Sequence, residues 1–382
     1  MTSAKRTIPW VIEEQTAVKH ELLKSYVGTW MNILWQQQER MGVEQRLIFV
    51  DGFAGPGEYW TSEARVEKVD GSPIIVGKIA NSRIKGQRKL DIIAFDSDAR
   101  TVQHLEPLLK RTNHTNQAWE IHQADFMSGA RVLMEKLSAR LGRDYPTFFF
   151  IDPFGYSGFP MRFLAEILKH PRTEAFVTLM TYDIVRFMDK PEQQSKMFDL
   201  FGTDAYKKHI SECTTPQQRV NFVTSLYQQQ LRAVAKARYV LGFRINTPGQ
   251  GERARYFLFH ASNNIKALKE MKNAMSRVSD REFSFEAIGI GAAEQLDLFV
   301  DKPELRIKAA VLDHVKTCPG SRTEYSEVED WAYERTAGVA RDIKKALTEL
   351  EKEGKVAIER KPGQRTNTVT EGATIKFATT LI

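Results

Sequence analysis

The sequence predicts a doubly wound α/β domain followed by a small helix-and-strand domain, and three observations carry this. Five apolar runs alternate with amphipathic stretches: RLIFV ending at Val50, DIIAF at Phe95, AWEIH at His122, TFFFI at Ile151 and AFVTLM at Met180. The first four of these runs are followed at once, or within three residues, by an aspartate. The last eighty or so residues then switch to three helical stretches and two strand-like ones. Runs apolar on both faces and separated by helices predict a parallel sheet covered on both sides. Ligands of such sheets bind outside the carboxyl ends of the strands.

In order along the chain, 16–38 reads as an amphipathic helix, with Val18, Leu22, Tyr26, Trp30 and Ile33 at helical spacing. Helical patterns near 72–83, 99–112, 127–142 and 160–169 fall between the strands. A polar helical insertion covers 183–235. The strand-like YVLGFRI (239–245) and RYFLFHA (255–261) are expected to pair as an antiparallel hairpin at the sheet edge, before a helix over 263–279 and a linker over 289–302. Residues 1–301 form the first domain and 302–382 the second. In the latter, ELRIKAAVLDHV, YSEVEDWAYER and AGVARDIKKALTELEKEG are helices, the third stopped by Gly354. KVAIERK and TIKFATT follow as strands around the turn-prone PGQRTN, the order of a winged helix-turn-helix.

Over 382 residues, 42% hydrophobic and 27% charged composition excludes a disordered chain. The only cysteines, Cys213 and Cys318, make neither a disulfide framework nor a zinc cluster, and no metal site is expected. MTSAKRTIPWVIEEQ lacks a signal-peptide core and no run is long enough to span a membrane, so a cytoplasmic protein is expected. Net charge is +7, but eleven basic against three acidic residues lie between Arg232 and Arg281. That concentration predicts a polyanion-binding face, with Arg253, Arg255, Lys266 and Lys269 as its phosphate contacts. Tyr239, Phe243 and Tyr256 interleave with it, suiting either base stacking or, at period two, the core. The second domain is nearly neutral and only its wing, with Arg360 and Lys361, adds basic candidates.

The motifs that carry chemistry sit at strand ends. In RLIFVDGFAGPGEY, a strand reaches Asp51 and runs into Gly52, Phe53, Ala54, Gly55 and Gly57. The glycines permit a tight turn and close backbone approach to a ligand. Asp51 would repel a pyrophosphate but suits an ammonium, such as the methionine end of S-adenosylmethionine. No Gly-Lys-Ser/Thr follows, which excludes a P-loop. Asp96 ends the second strand, where an acid accepts from ribose hydroxyls. DGSPII places Ser72 at a helix start, able to hold a carboxylate. Asp125, followed by Phe126, is placed for an adenine amino group. In TFFFIDPFGYSGFP, Asp152, Pro153, Phe154 and Tyr156 make a pocket for a planar amine, with oxygens to accept its N–H bonds and rings to stack. No His-Glu-x-x-His or Gly-x-Ser-x-Gly occurs, against a zinc or serine hydrolase.

TAVKHELLKSYVGTW, VDGFAGPGEY, DGSPI and FFFIDPFGYSGFP resemble the three-Cys-motif partner family, whose fold is that of class I methyltransferases and which is named for a neighbouring radical-SAM-like protein. The resemblance runs from about residue 16 to 186, and more loosely to the C-terminal domain. The Lys-His pair, glycine turn and Gly-Ser-Pro also resemble, more distantly, the bacterial large-subunit ribosomal RNA adenine-N6 methyltransferases. By that resemblance Lys19, His20 and Ser72 lie beside the cofactor, Lys19 and Ser72 at its carboxylate. Adenine amino-methyltransferases carry Asp/Asn-Pro-Pro-Phe/Tyr, whereas this chain has Asp152-Pro153-Phe154-Gly155, a form similar to that of tRNA guanine-N2 dimethyltransferases. Together these imply S-adenosylmethionine-dependent methylation of an exocyclic nucleobase amine in DNA or RNA. The alternative is a non-catalytic nucleic-acid-binding adaptor of the three-Cys protein.

Overall fold

The computed structural model describes residues 7–112, 116–129, 145–157, 159–170, 172–210, 212–246, 256–279, 284–288, 303–336 and 338–378. The chain divides into two units, Met1–Phe285 and Glu286–Ile382. The expected linker over 289–302 lies outside the described residues, as do most of the helix expected over 127–142 and both Arg253 and Arg255. No described helix is long and apolar enough to cross a membrane.

The first unit opens with α1 (Glu14–Arg40), then β1 (Arg46–Asp51), a small hairpin of β2 (Glu58–Trp60) and β3 (Lys68–Asp70), and α2 (Ser72–Asn81). Next come β4 (Lys89–Asp96), α3 (Ala99–Thr112), β5 (Gln117–Gln123), β6 (Thr147–Ile151), α4 (Met161–Leu168) and β7 (Thr173–Leu179). The insertion holds α5 (Thr181–Phe187), α6 (Gln194–Phe201), α7 (Ala205–Ile210) and α8 (Pro216–Ala233). Then come β8 (Tyr239–Asn246), β9 (Phe257–Ser262) and α9 (Ile265–Ser279), and β10 (Ser284–Ile288) crosses the boundary at Phe285.

Eight strands form one sheet in the order β10-β8-β9-β7-β6-β1-β4-β5. β1, β4, β5, β6 and β7 are mutually parallel, and β9 runs antiparallel to both β7 and β8. The sheet is therefore mixed, with five parallel strands at one side and an antiparallel strand inserted beside β7, as expected of a Rossmann-like α/β fold. Every position of β6, β7 and β9 is buried. Because successive side chains point to opposite faces, both faces must be covered. One layer is α1 between α2 and α9; the other gathers α4, α5 and α6 around α8. From β1 the chain moves outward through β4 and β5, then returns to β6 and moves the other way. The switch point therefore lies between β1 and β6, where the strand ends diverge and leave a crevice.

Burial on α1 is wider than its apolar stripe. Val27, Met31 and Trp35 are as buried as Leu22 and Tyr26, because flanking helices cover two sides. A polar cluster ties this helix to the far side of the sheet. The Tyr26 hydroxyl donates to Glu174 Oε2, to which His260 Nε2 also bonds at 2.9 Å. Ser25 Oγ donates to the Ala274 carbonyl at 3.4 Å, and Arg277 Nη2 donates to the Ser25 carbonyl at 3.2 Å.

Two expectations are corrected. The β8–β9 hairpin is not the sheet edge: β9 inserts beside β7, β10 lies outside β8, and β7 separates the hairpin from β6. Nor is the basic stretch a single face. Lys272 is buried, Arg277 is turned onto α1 and the Arg238 guanidinium lies over the Tyr239 ring, while Lys266 is exposed. Tyr239, Phe243 and Tyr256 are core residues, so they do not stack on bases.

The second unit contains α10 (Pro303–Thr317), β11 (Arg322–Glu324), α11 (Tyr325–Arg335), α12 (Ala340–Lys352), β12 (Val356–Glu359) and β13 (Thr374–Phe377). Its strands form an antiparallel sheet in the order β11-β13-β12. Val311, Val328, Ile343, Leu347 and Ile375 fill the core. Arg360 does not offer the open cation expected of it. Its two terminal nitrogens donate to the two Glu351 oxygens at 2.7 and 2.6 Å, with the side chain only 12% exposed. Lys361 is exposed.

Candidate functional site

Asp51 ends β1 at the switch point with no exposed surface. Its Oδ1 accepts from the Phe53 amide at 3.2 Å, while Oδ2 is buried without a hydrogen-bond partner. Burial pushes its pKa up to about 7; the Ser72 hydroxyl and the Phe53 amide pull the other way, and the nearby Asp152 and Asp96 carboxylates add to the rise. A carboxylate left in this condition is a strong acceptor waiting for a donor, and a cationic donor satisfies it best.

The glycine turn is shaped by contact as well as by dihedral angle. Gly55 and Gly57 have φ of +62° and +80°. The Gly55 amide donates to Asp96 Oδ2 at 3.1 Å, and the Asp98 amide donates to Asp96 Oδ1 at 2.8 Å. Burial raises the Asp96 pKa against these two amides. Gly71 caps α2 and donates to the Gly57 carbonyl at 2.6 Å, so the turn and the start of α2 are clamped backbone to backbone. A Cβ on Gly71 would lie 2.9 Å from the Gly57 carbonyl carbon, which no rotamer change relieves. Gly71→Ala should therefore cost about 1–3 kcal/mol of stability, read as a lower denaturation midpoint at unchanged slope. An unchanged midpoint would show that the clamp is loose.

Behind the turn, Phe126 packs under Gly52, where an added Cβ would meet its ring at 3.1 Å. It also touches Phe53 with ring centroids 5.6 Å apart. Ser72 is buried at the first residue of α2. Asp51, Gly52, Phe53, Ala54, Gly55, Gly57, Ser72, Asp96 and Phe126 thus converge. Asp125 differs: it is exposed and caps the helical turn over 126–129, accepting from the Ser128 amide at 3.1 Å and its hydroxyl at 2.5 Å. Those bonds, the hydroxyl's foremost, lower its pKa.

The first helix supplies a cation from the other side. Lys19 Nζ lies 2.6 Å from Asp152 Oδ1, with side chains 7% and 15% exposed, and sits 5.4 Å from the centre of the Tyr256 ring. Among the described residues, Asp152 Oδ2 receives no hydrogen bond. His20 is buried, 5.8 Å from the Tyr59 ring centre, and desolvation holds it neutral with a pKa of about 3.

The Asp152 loop separates the two aromatics expected to work together. Phe154 is 71% exposed and meets Trp10 edge-on at 6.1 Å. Tyr156 turns away to Phe187 at 6.0 Å and donates to Gln193 Oε1 at 2.7 Å. Trp10 and Tyr59, missed in the sequence, form the wall beside Phe154. Trp10 is placed by a short strap in which the Ile12 amide donates to the Trp60 carbonyl at 2.8 Å and the Trp60 amide to the Trp10 carbonyl at 3.0 Å. Such a non-local bridge leaves no periodic signal; only the lone Trp in TIPWV marks it.

No family model matches the chain, and no curated protein matches it. Among solved structures, a Legionella pneumophila protein of family DUF519 aligns over 71% of this chain and 95% of its own, at 13% identity and a TM-score of 0.36. An rRNA methylase from Streptococcus thermophilus aligns over 66% and 98%, at 11% identity and a TM-score of 0.30. M. jannaschii TYW2, solved with AdoMet, aligns over 59% and 73%, at 10% identity and a TM-score of 0.24. Likenesses at this level carry no argument about the chemistry here, which rests on the strand-end residues themselves.

Proposed function

We propose that this chain is an S-adenosylmethionine-dependent N-methyltransferase acting on an exocyclic amine of a nucleobase in DNA or RNA. The observation that carries the reading is the buried, half-satisfied Asp51 carboxylate at the mouth of a clamped glycine turn. A buried acceptor of this kind fits the ammonium of an amino acid and repels phosphate. The other residues fit the rest of the cofactor: Ser72 and the free amides of α2 suit its carboxylate, and Asp96 its ribose hydroxyls. When bound, S-adenosylmethionine supplies an electrophilic methyl group.

The chain's own residues then present the nucleophile. Asp152 Oδ2 and the Pro153 carbonyl accept the two amine N–H bonds and leave the lone pair directed outward. Lys19 fixes Asp152 through Oδ1, so the acceptor is already oriented when substrate arrives. Phe154 and Trp10 stack on the base, which is unpaired or flipped out. In this reading Lys19 is a positioning residue for Asp152 more than a partner of the cofactor carboxylate.

A non-catalytic adaptor for a three-Cys radical-SAM-like protein is the second reading. It is favoured by the second unit, read as a winged helix whose charges pair internally: Lys308 with Glu349 and Glu353, Arg360 with Glu351, Lys376 with Glu359. That pattern suits a protein contact better than a nucleic-acid one. Calorimetry with S-adenosylmethionine and with its demethylated product tests the cofactor assignment. Binding is expected, and none at about millimolar ligand would overturn it. Transfer of a tritiated methyl group to total cellular DNA or RNA, with and without the three-Cys protein, separates enzyme from adaptor.

A further inference from the structure

A second cavity, of about 300 Å³, opens where the Asp152 loop meets α6. None of Lys19, Asp51, Ser72, Asp96 or Asp152 lines it, so it is separate from the glycine-turn site. Its volume is at the lower bound for a small-molecule site, about 300 Å³. Phe159, Pro160 and Leu200 give it an apolar floor, while Arg162, Lys196 and Asp199 stand around it. Two cations against one carboxylate leave one net positive charge, the complement of a single phosphodiester.

The cations are available. Lys196 is exposed and forms no ion pair among the described residues. Arg162 is 3.9 Å from Asp199, at the limit of pairing, with side chains 65% and 45% exposed. Such a contact contributes little and leaves most guanidinium N–H groups open. Tyr156 lines the cavity four residues after Asp152, a chain distance of at most about 14 Å. One or two nucleotides of an extended strand cover that reach.

We propose that this cavity is a subsite for the nucleotide next to the target base, its phosphodiester held by Arg162 and Lys196 and its sugar or base resting on Phe159, Pro160 and Leu200. This rests on the nucleobase reading above and makes its substrate a single-stranded polynucleotide, not a free nucleoside or nucleotide.

The test uses the whole chain, fluorescent single-stranded DNA and RNA oligonucleotides, and adenosine and guanosine monophosphates as small probes. Arg162→Gln with Lys196→Gln should weaken oligonucleotide binding about ten- to a hundredfold at low salt. It should also flatten the log–log salt slope by about 0.7, one phosphate contact on a single strand. Both side chains are exposed, so folding is preserved, and affinity for S-adenosylmethionine should not change. Unaltered oligonucleotide affinity and slope in the double variant would overturn the subsite while leaving the methyltransferase reading intact. Monophosphate binding that needs the two cations, with no oligonucleotide binding, would overturn the polymer. Loss of cofactor binding in the wild-type chain would instead defeat the underlying reading.

Discussion

Binding of S-adenosylmethionine should release close to one proton per site at about pH 6 and almost none at about pH 8. The free chain holds Asp51 protonated over most of the acidic range, because burial lifts its pKa to about 7. An ammonium placed against the carboxylate favours the ionised form, so the proton must leave on binding. Calorimetry in two buffers of different ionisation enthalpy measures this directly. Asp51→Asn should abolish both the release and the binding. The same shift has a consequence for stability. With a folded pKa above the unfolded one of 3.8, the group opposes folding increasingly as pH rises between those values. The penalty is absent below about pH 4 and complete above about pH 7, where it amounts to roughly 4 kcal/mol as an order of magnitude. Asp51→Asn should thus unfold at higher denaturant than the parent at about pH 8 and lose that advantage near pH 4. Asparagine with full cofactor affinity, or with no pH-dependent stability difference, would remove Asp51 from the site.

Asp152→Ala should lower methyl transfer about 10²- to 10⁴-fold while cofactor binding persists. It also strands Lys19, a buried cation, at about 3–5 kcal/mol, so Asp152→Asn is the more informative change. In that variant Lys19 still requires an acceptor at 2.6 Å. The amide oxygen turns to it and the NH₂ group faces the substrate amine, donor against donor. Asp152→Asn should therefore be nearly as inactive as alanine. Removing the cation as well, in Lys19→Met with Asp152→Asn, lets the amide rotate and should recover part of the turnover. An active Asp152→Asn, or a double variant no better than the single, would show that Lys19 does not orient this group.

The strands and the acids at their ends were legible because a buried parallel strand is a continuous apolar run and its end is marked by an abrupt polar residue. The placing of Asp51 and Asp96 side by side followed from their positions at strand ends, and that of Gly57 and Ser72 from the glycine turn and the Gly-Ser-Pro helix start. What escaped had no local signature. β2 and β3 are three residues each, and β10 is a five-residue run after a helix. Trp10 reaches the site through a bridge to Trp60 fifty residues away. The Lys19–Asp152 pair spans 133 residues, and nothing in either flank indicates the other. Periodicity also could not divide the aromatics after Asp152, sending Phe154 to one side and Tyr156 to the other.

The polar ties of α1 to the last elements of its unit constrain how the chain is made. The bond from Ser25 to Ala274 joins residues 249 apart, and Tyr26 shares Glu174 with His260. At about 5–20 residues per second, the ribosome delivers α9 roughly 12–50 s after α1. Throughout that interval Tyr26, Val27, Trp30 and Met31, all buried in the finished unit, have no completed surface to dock on. Helix α1 is thus among the last parts of its unit to be satisfied, and an unfinished chain is open to aggregation through its apolar face.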